Sequence, residues 1–124
     1  MDVTTEELAA RLGQDPRLVV LDVRTPQEFE GVAGYPCDPR QGCIPDARHL
    51  DVAVLAELST DELRKVIGLP PGAEIVAYCH VGTRSAFAAD RLRAAGYRAR
   101  NYEGSWHEWS RRDDLDAEQS ETSS

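Results

Sequence analysis

No apolar run in these 124 residues approaches the ~18 that a membrane-crossing helix requires. Basic residues are also short: 14 Lys and Arg face 22 Asp and Glu, a formal charge of −8. A general nucleic-acid binder needs a basic face to release counterions from phosphates, so that class is excluded. A small anionic substrate is not, because a few local donors can override a global charge. The opening stretch MDVTTEELAARLG has neither the basic nor the apolar region of a secretory leader, and a cytoplasmic setting is expected. Cysteine is limited to Cys37, Cys43 and Cys79. An odd number leaves at least one unpaired, and reduced thiols are expected in that compartment. A zinc site on Cys37 and Cys43 has no evident fourth ligand, so no metal is expected. There is no internal repeat. Hydrophobic residues make up 41%, enough for one core.

Thr4 and Glu7 have capping-box spacing ahead of Leu8 and Leu12, which predicts a helix closed by Gly13. Leu18 to Leu21 is a continuous apolar run, as in a strand buried on both faces. Thr25, Pro26 and Glu28 open a second helix. Residues 31–46 read as a long loop, 47–50 as a short strand and 55–58 as one helical turn. Ser59 and Glu62 start a helix that ends at Gly68. Glu74 to Tyr78 reads as a second buried strand, Ala86 to Ala95 as a helix, Arg98 to Tyr102 as a last strand, and Trp106 to Arg111 as a short helix. From Asp113 the chain carries five acids, no bases and several serines; residues 1–112 are expected to form the domain and 113–124 a disordered tail. Alternating strands and helices predict a three-layer α/β fold, with a central, mostly parallel sheet and helices on both faces. Such sheets bind ligands at the carboxyl ends of their strands, which points to Cys79.

The segment from Ile75 to Ser85 is a strand, a short loop and a helix start. Loop N–H groups can curl into a nest, and the helix end adds its own unpaired donors. Gly82 permits a positive φ at the turn. A thiol there should ionise easily, and the cradle formed by His80, Val81, Gly82, Thr83 and Arg84 would hold a terminal sulfur or an oxyanion. The plain alternative is an inert core cysteine.

Four blocks of the sequence resemble the rhodanese family of sulfurtransferases. They are Leu21 to Phe29, Gly42 to Ala47, the loop from Cys79 to Arg84, and Tyr102 to Trp109. The last block is most similar to the catalytic C-terminal half of thiosulfate and mercaptopyruvate sulfurtransferases. The resemblance implies that Cys79 accepts a sulfane sulfur from a donor such as thiosulfate, forming a persulfide. A thiophilic acceptor, cyanide or a thiol, then removes the sulfur, without cofactor or metal. A protein acceptor is a further partner of this kind. A rhodanese-like sulfur carrier or binding module without its own turnover is the rival reading. A cysteine phosphatase or arsenate reductase is a second, disfavoured because its loop is one residue longer than the four residues between Cys79 and Arg84.

The sequence departs from the family pattern at Cys43, which stands for a histidine, and at Asp46, which stands for a glycine. Cys43 reads either as a resolving cysteine or as a small packing residue. Arg24 reads either as a site cation or as the partner of Asp22 or Glu28. Trp106 is expected to wall the pocket, with simple core packing as the alternative, and Trp109 is expected in the core.

Overall fold

The computed structural model describes residues 2–118. The elements run α1 (Thr5–Arg11), β1 (Val19–Asp22), α2 (Pro26–Glu30), β2 (Arg48–His49), α3 (Val52–Leu55), α4 (Thr60–Ile67), β3 (Glu74–Tyr78), α5 (Thr83–Ala94), β4 (Arg98–Asn101) and α6 (Ser105–Trp109). The four strands form one sheet in the order β2-β1-β3-β4, with every pairing parallel. Val20 lies opposite Val76 and Ala77 opposite Asn101, so β3 sits inside the sheet.

Side chains alternate across β3, and each face meets its own core. Ile75 and Cys79 join Leu21, Leu55, Leu63, Ile67, Ala88 and Leu92 under α3, α4 and α5. Val76 and Tyr78 join Leu8, Ile44, Tyr102, Trp106 and Trp109 against α1 and α6. This is the three-layer α/β arrangement expected from the apolar runs.

The helix starts follow their capping residues. The side-chain oxygens of Thr25 and Ser59 accept the N–H groups of Glu28 and Glu62, and both capping boxes close reciprocally. The Thr4 side chain accepts the N–H of Glu7. Two helices begin earlier than expected. The single turn expected at 55–58 is instead Val52–Leu55, because Asp51 caps the N–H of Ala53. The helix expected from Ala86 begins at Thr83, directly behind Gly82, which has φ 93° and makes no side-chain cap. A reading keyed to capping side chains misses such a start.

Residues 113–118 depart from the disordered tail expected from Asp113. Leu115 and Ala117 pack on the core beneath α1 and α6. Glu118 exchanges backbone hydrogen bonds with Cys43, at 2.6 and 2.8 Å. Trp109 Nε1 donates to the carbonyl of Asp116. The Arg40 guanidinium donates to the carbonyls of Trp109, Ser110, Arg112 and Leu115. Composition obscured this docking, because the segment is held through main-chain groups and two apolar side chains set among acids. Residues 119–124, the rest of that expected tail, lie outside the described residues.

Candidate active site

β3 delivers Cys79 to the carboxyl edge of the sheet, where its side chain is only 1% exposed. Its backbone is held on both sides: the N–H donates to Ser105 Oγ at 3.0 Å, and the carbonyl accepts from the Trp106 N–H at 2.9 Å. Ser105 donates onward to the carbonyl of Tyr102 at 2.7 Å. The start of α6 is thus tied to the end of β3.

The loop then turns back over the sulfur. Gly82 N–H donates to Cys79 Sγ at 3.1 Å, and Ser85 Oγ lies 3.4 Å from it. Burial pushes the Cys79 thiol up. The Ser85 hydroxyl and the N–H groups of Ser85, Gly82 and Val81 outweigh it, and the net shift is downward. The donors at the amino end of α5 therefore favour thiolate. The Ser85 hydroxyl has one proton and two acceptors, because Asn101 Oδ1 lies 2.6 Å from it. Asn101 is oriented by its own Nδ2, which donates to the carbonyl of Gly82. The amides are thus the fixed donors, and the hydroxyl is a switchable one.

Val81 and Thr83 are exposed on the outer side of the loop, while Gly82 is buried beneath it. Arg84 reaches the rim, but its fork is occupied by Glu28, at 2.9 and 3.2 Å. Burial raises the Glu28 carboxyl, yet the pairing with Arg84 and the N–H of Thr25 bring it below its ordinary value. His80 is buried with its ring stacked on Tyr35, centroids 3.8 Å apart.

Two expectations are corrected. Arg24 is 1% exposed and makes a fork to Asp22, with a further bond to the carbonyl of Gly42. It is a structural cation, pairing with Asp22 as one of its two readings held. Trp106 is fully buried on the opposite face of the sheet from the Cys79 side chain. Its Nε1 donates to the carbonyl of Arg40 and its ring stacks on the Arg24 guanidinium, so it is core and not a pocket wall. Trp109 is core, as expected. Cys43 is buried, and burial with the nearby charges of Asp22 and Glu118 pushes its thiol up to about 12, which suits a packing residue.

Sequence reasoning missed Ser85 and Ser105 as partners of Cys79, and Asn101 as the partner of Ser85 and Gly82. Ser85 stands within the loop segment, where a small hydroxyl residue in the first helical turn was a usable signal. Asn101 and Ser105 lie 22 and 26 positions beyond Cys79 and carry no local signal. A surface hollow of about 960 Å³ borders Val81, Gly82 and Thr83 along the β4 edge. It is lined by acids and bases but no cysteine.

Residues 4–112 match the family described as Rhodanese-like domain. A thiosulfate sulfurtransferase of Corynebacterium glutamicum is 38% identical over 117 residues, covering 83% of this chain and 39% of its own. One of Pseudomonas aeruginosa is 32% identical over 124 residues, covering 93% and 45%. The crystal structure of a probable thiosulfate sulfurtransferase superposes with a TM-score of 0.81 at 43% identity, covering 94% of this chain and 47% of that one. The chain spans less than half the length of each of these three. With a matching parallel sheet, a match over nearly all of the described residues and a cysteine cradled after its third strand, this chain belongs to the rhodanese-like domain family.

Proposed function

We propose that this chain is a sulfurtransferase that carries a sulfane sulfur on Cys79. The observation that supports it best is the convergence of the Val81, Gly82 and Ser85 N–H groups on one buried sulfur. The Cys79 thiolate attacks the outer sulfur of thiosulfate. The S–S bond of the donor breaks, and sulfite leaves with its electron pair. The same amides then stabilise the terminal sulfur of the persulfide. An acceptor such as cyanide attacks that terminal sulfur, the new S–S bond breaks, and thiolate returns to Cys79. No group other than the cysteine and its donors enters either displacement. A reducing compartment such as the cytoplasm suits a nucleophile that works as thiolate.

A sulfur carrier loaded by a partner protein is the second reading, and the Arg84–Glu28 pair favours it. A neutralised guanidinium and a buried Arg24 leave little free positive charge for a dianionic donor. The test is mass spectrometry after incubation with thiosulfate, with peptide mapping. One added sulfur on Cys79, removed by cyanide, supports the enzyme. Loading only from a protein persulfide supports the carrier. Robust phosphatase activity with no persulfide overturns both.

A further inference from the structure

Beside the Cys79 sulfur lies a group of side chains that take no part in the displacements proposed above. Cys37 and Asp38 come from the long loop, His80 directly follows Cys79, and His107 sits on α6. One ligand atom from each lies within 4.8 Å of all the others, and they form the one such His, Cys, Asp and Glu group found among the described residues. Two of the four are deeply buried: the Asp38 side chain is 1% exposed and that of His80 8%. Asp38 Oδ2 and His80 Nε2 face each other at 2.9 Å, close enough for an ion pair but without the alignment of a hydrogen bond. A buried carboxylate and imidazole held this close without that alignment present two ligand atoms to one cation.

The neighbours hold these ligands in place. Arg111 Nη1 lies 2.9 Å from Asp38 Oδ1 and leaves Oδ2 turned inward. Tyr35 stacks on His80 with an interplanar angle of 1°, which fixes the imidazole plane. The His107 N–H donates to the carbonyl of His80, joining the two histidines through the backbone. Supports of this kind orient ligands at metal centres.

We propose that Cys37 Sγ, Asp38 Oδ2, His80 Nε2 and a ring nitrogen of His107 bind one Zn²⁺. A thiolate, two imidazoles and a carboxylate are a donor set for zinc rather than for calcium or magnesium, which take oxygen. Zinc ligands at ~2.0–2.3 Å from the metal stand ~3.3–3.8 Å apart at tetrahedral angles. Closing the group therefore requires a movement on the order of 1 Å, and Cys37 and His107 are the exposed members free to make it. On binding, the Cys37 thiol releases its proton to solvent. Thiolate and carboxylate then balance the two charges of the ion. Four protein ligands close the coordination shell, so the ion ties the long loop, the Cys79 loop and α6 together and takes no part in sulfur transfer.

The test uses the reduced full chain, stripped with chelator and titrated with Zn²⁺ against a chromophoric competitor. One equivalent is expected to bind and to raise the melting temperature. Co²⁺ in its place should give the intense visible bands of a tetrahedral site and a near-ultraviolet thiolate band. Loss of an outer partner alone weakens metal sites by ~10–100-fold, so Cys37→Ser and His107→Asn should each weaken binding by ~100-fold or more. Both positions are exposed, and both variants should fold. Cys79→Ser and Cys43→Ser should bind as the unaltered chain does. Absence of one-equivalent binding, or binding that survives Cys37→Ser and is lost in Cys79→Ser, would overturn the proposal.

Discussion

Gly82 and Glu103 approach so closely that a Cβ on Gly82 would stand 2.6 Å from the Glu103 carbonyl oxygen. The same glycine has φ 93° and gives its N–H to the Cys79 sulfur. Two independent constraints thus meet at one residue, left-handed backbone and backbone contact. Gly82→Ala is expected to cost about 2–4 kcal/mol, combining the left-handed penalty with overpacking. Urea denaturation would measure this, and sulfur loading on Cys79 should fall as the loop amides are displaced.

The Cys79 thiol lies below its ordinary range while Cys43 is pushed up to about 12. Alkylation followed against pH, with peptide mapping, should show Cys79 reacting at lower pH than a free thiol and Cys43 nearly inert near neutrality. Ser85→Ala should move the Cys79 midpoint upward, but only in part, because the amides remain. The signs for stability are opposite. The Cys79 contribution is complete above the unfolded thiol value of about 8.5 and is lost as pH falls through the folded value. The Cys43 contribution is complete below about 8.5 and is lost as pH rises towards its folded value. An ordinary titration of Cys79 would remove the basis for a thiolate cradle.

Glu28 occupies both arms of the Arg84 fork. Glu28→Gln should release much of that charge and lower KM for thiosulfate by about fivefold, the equivalent of ~1 kcal/mol for a partly exposed charge. The same change weakens the box that starts α2, and a stability loss of about 0.5–1 kcal/mol should accompany it. Steady-state kinetics with thiosulfate and cyanide separates the two effects. An unchanged KM would show that Arg84 does not sense the donor.

Truncation after Arg112 removes Leu115 and Ala117 from the core, the Glu118 pairing of Cys43 and two carbonyl partners of Trp109 and Arg40. One partly buried leucine and a few hydrogen bonds amount to about 2–3 kcal/mol. The melting temperature should drop accordingly while Cys79 still loads sulfur. A truncated chain as stable as the whole one would show that this segment contributes nothing.

Local chemistry alone was enough to read the strands and most helix starts. The apolar runs at Leu18–Leu21 and Ile75–Tyr78 permit burial on both faces, and Thr25, Ser59 and Thr4 declare their helices within four residues. Cys79 was legible for the same reason, because the strand, Gly82 and the following helix are contiguous. What only the tertiary structure decided are the relationships between distant groups. A carboxylate 56 positions away turns the Arg84 fork, the pairing with Asp22 buries Arg24, and the choice of sheet face sends Trp106 into the core. The docking of residues 113–118 on Arg40 and Cys43 is another such case. Hydrogen bonds and burial across such separations depend on which faces the sheet brings together, and no spacing rule within one stretch of chain contains that information.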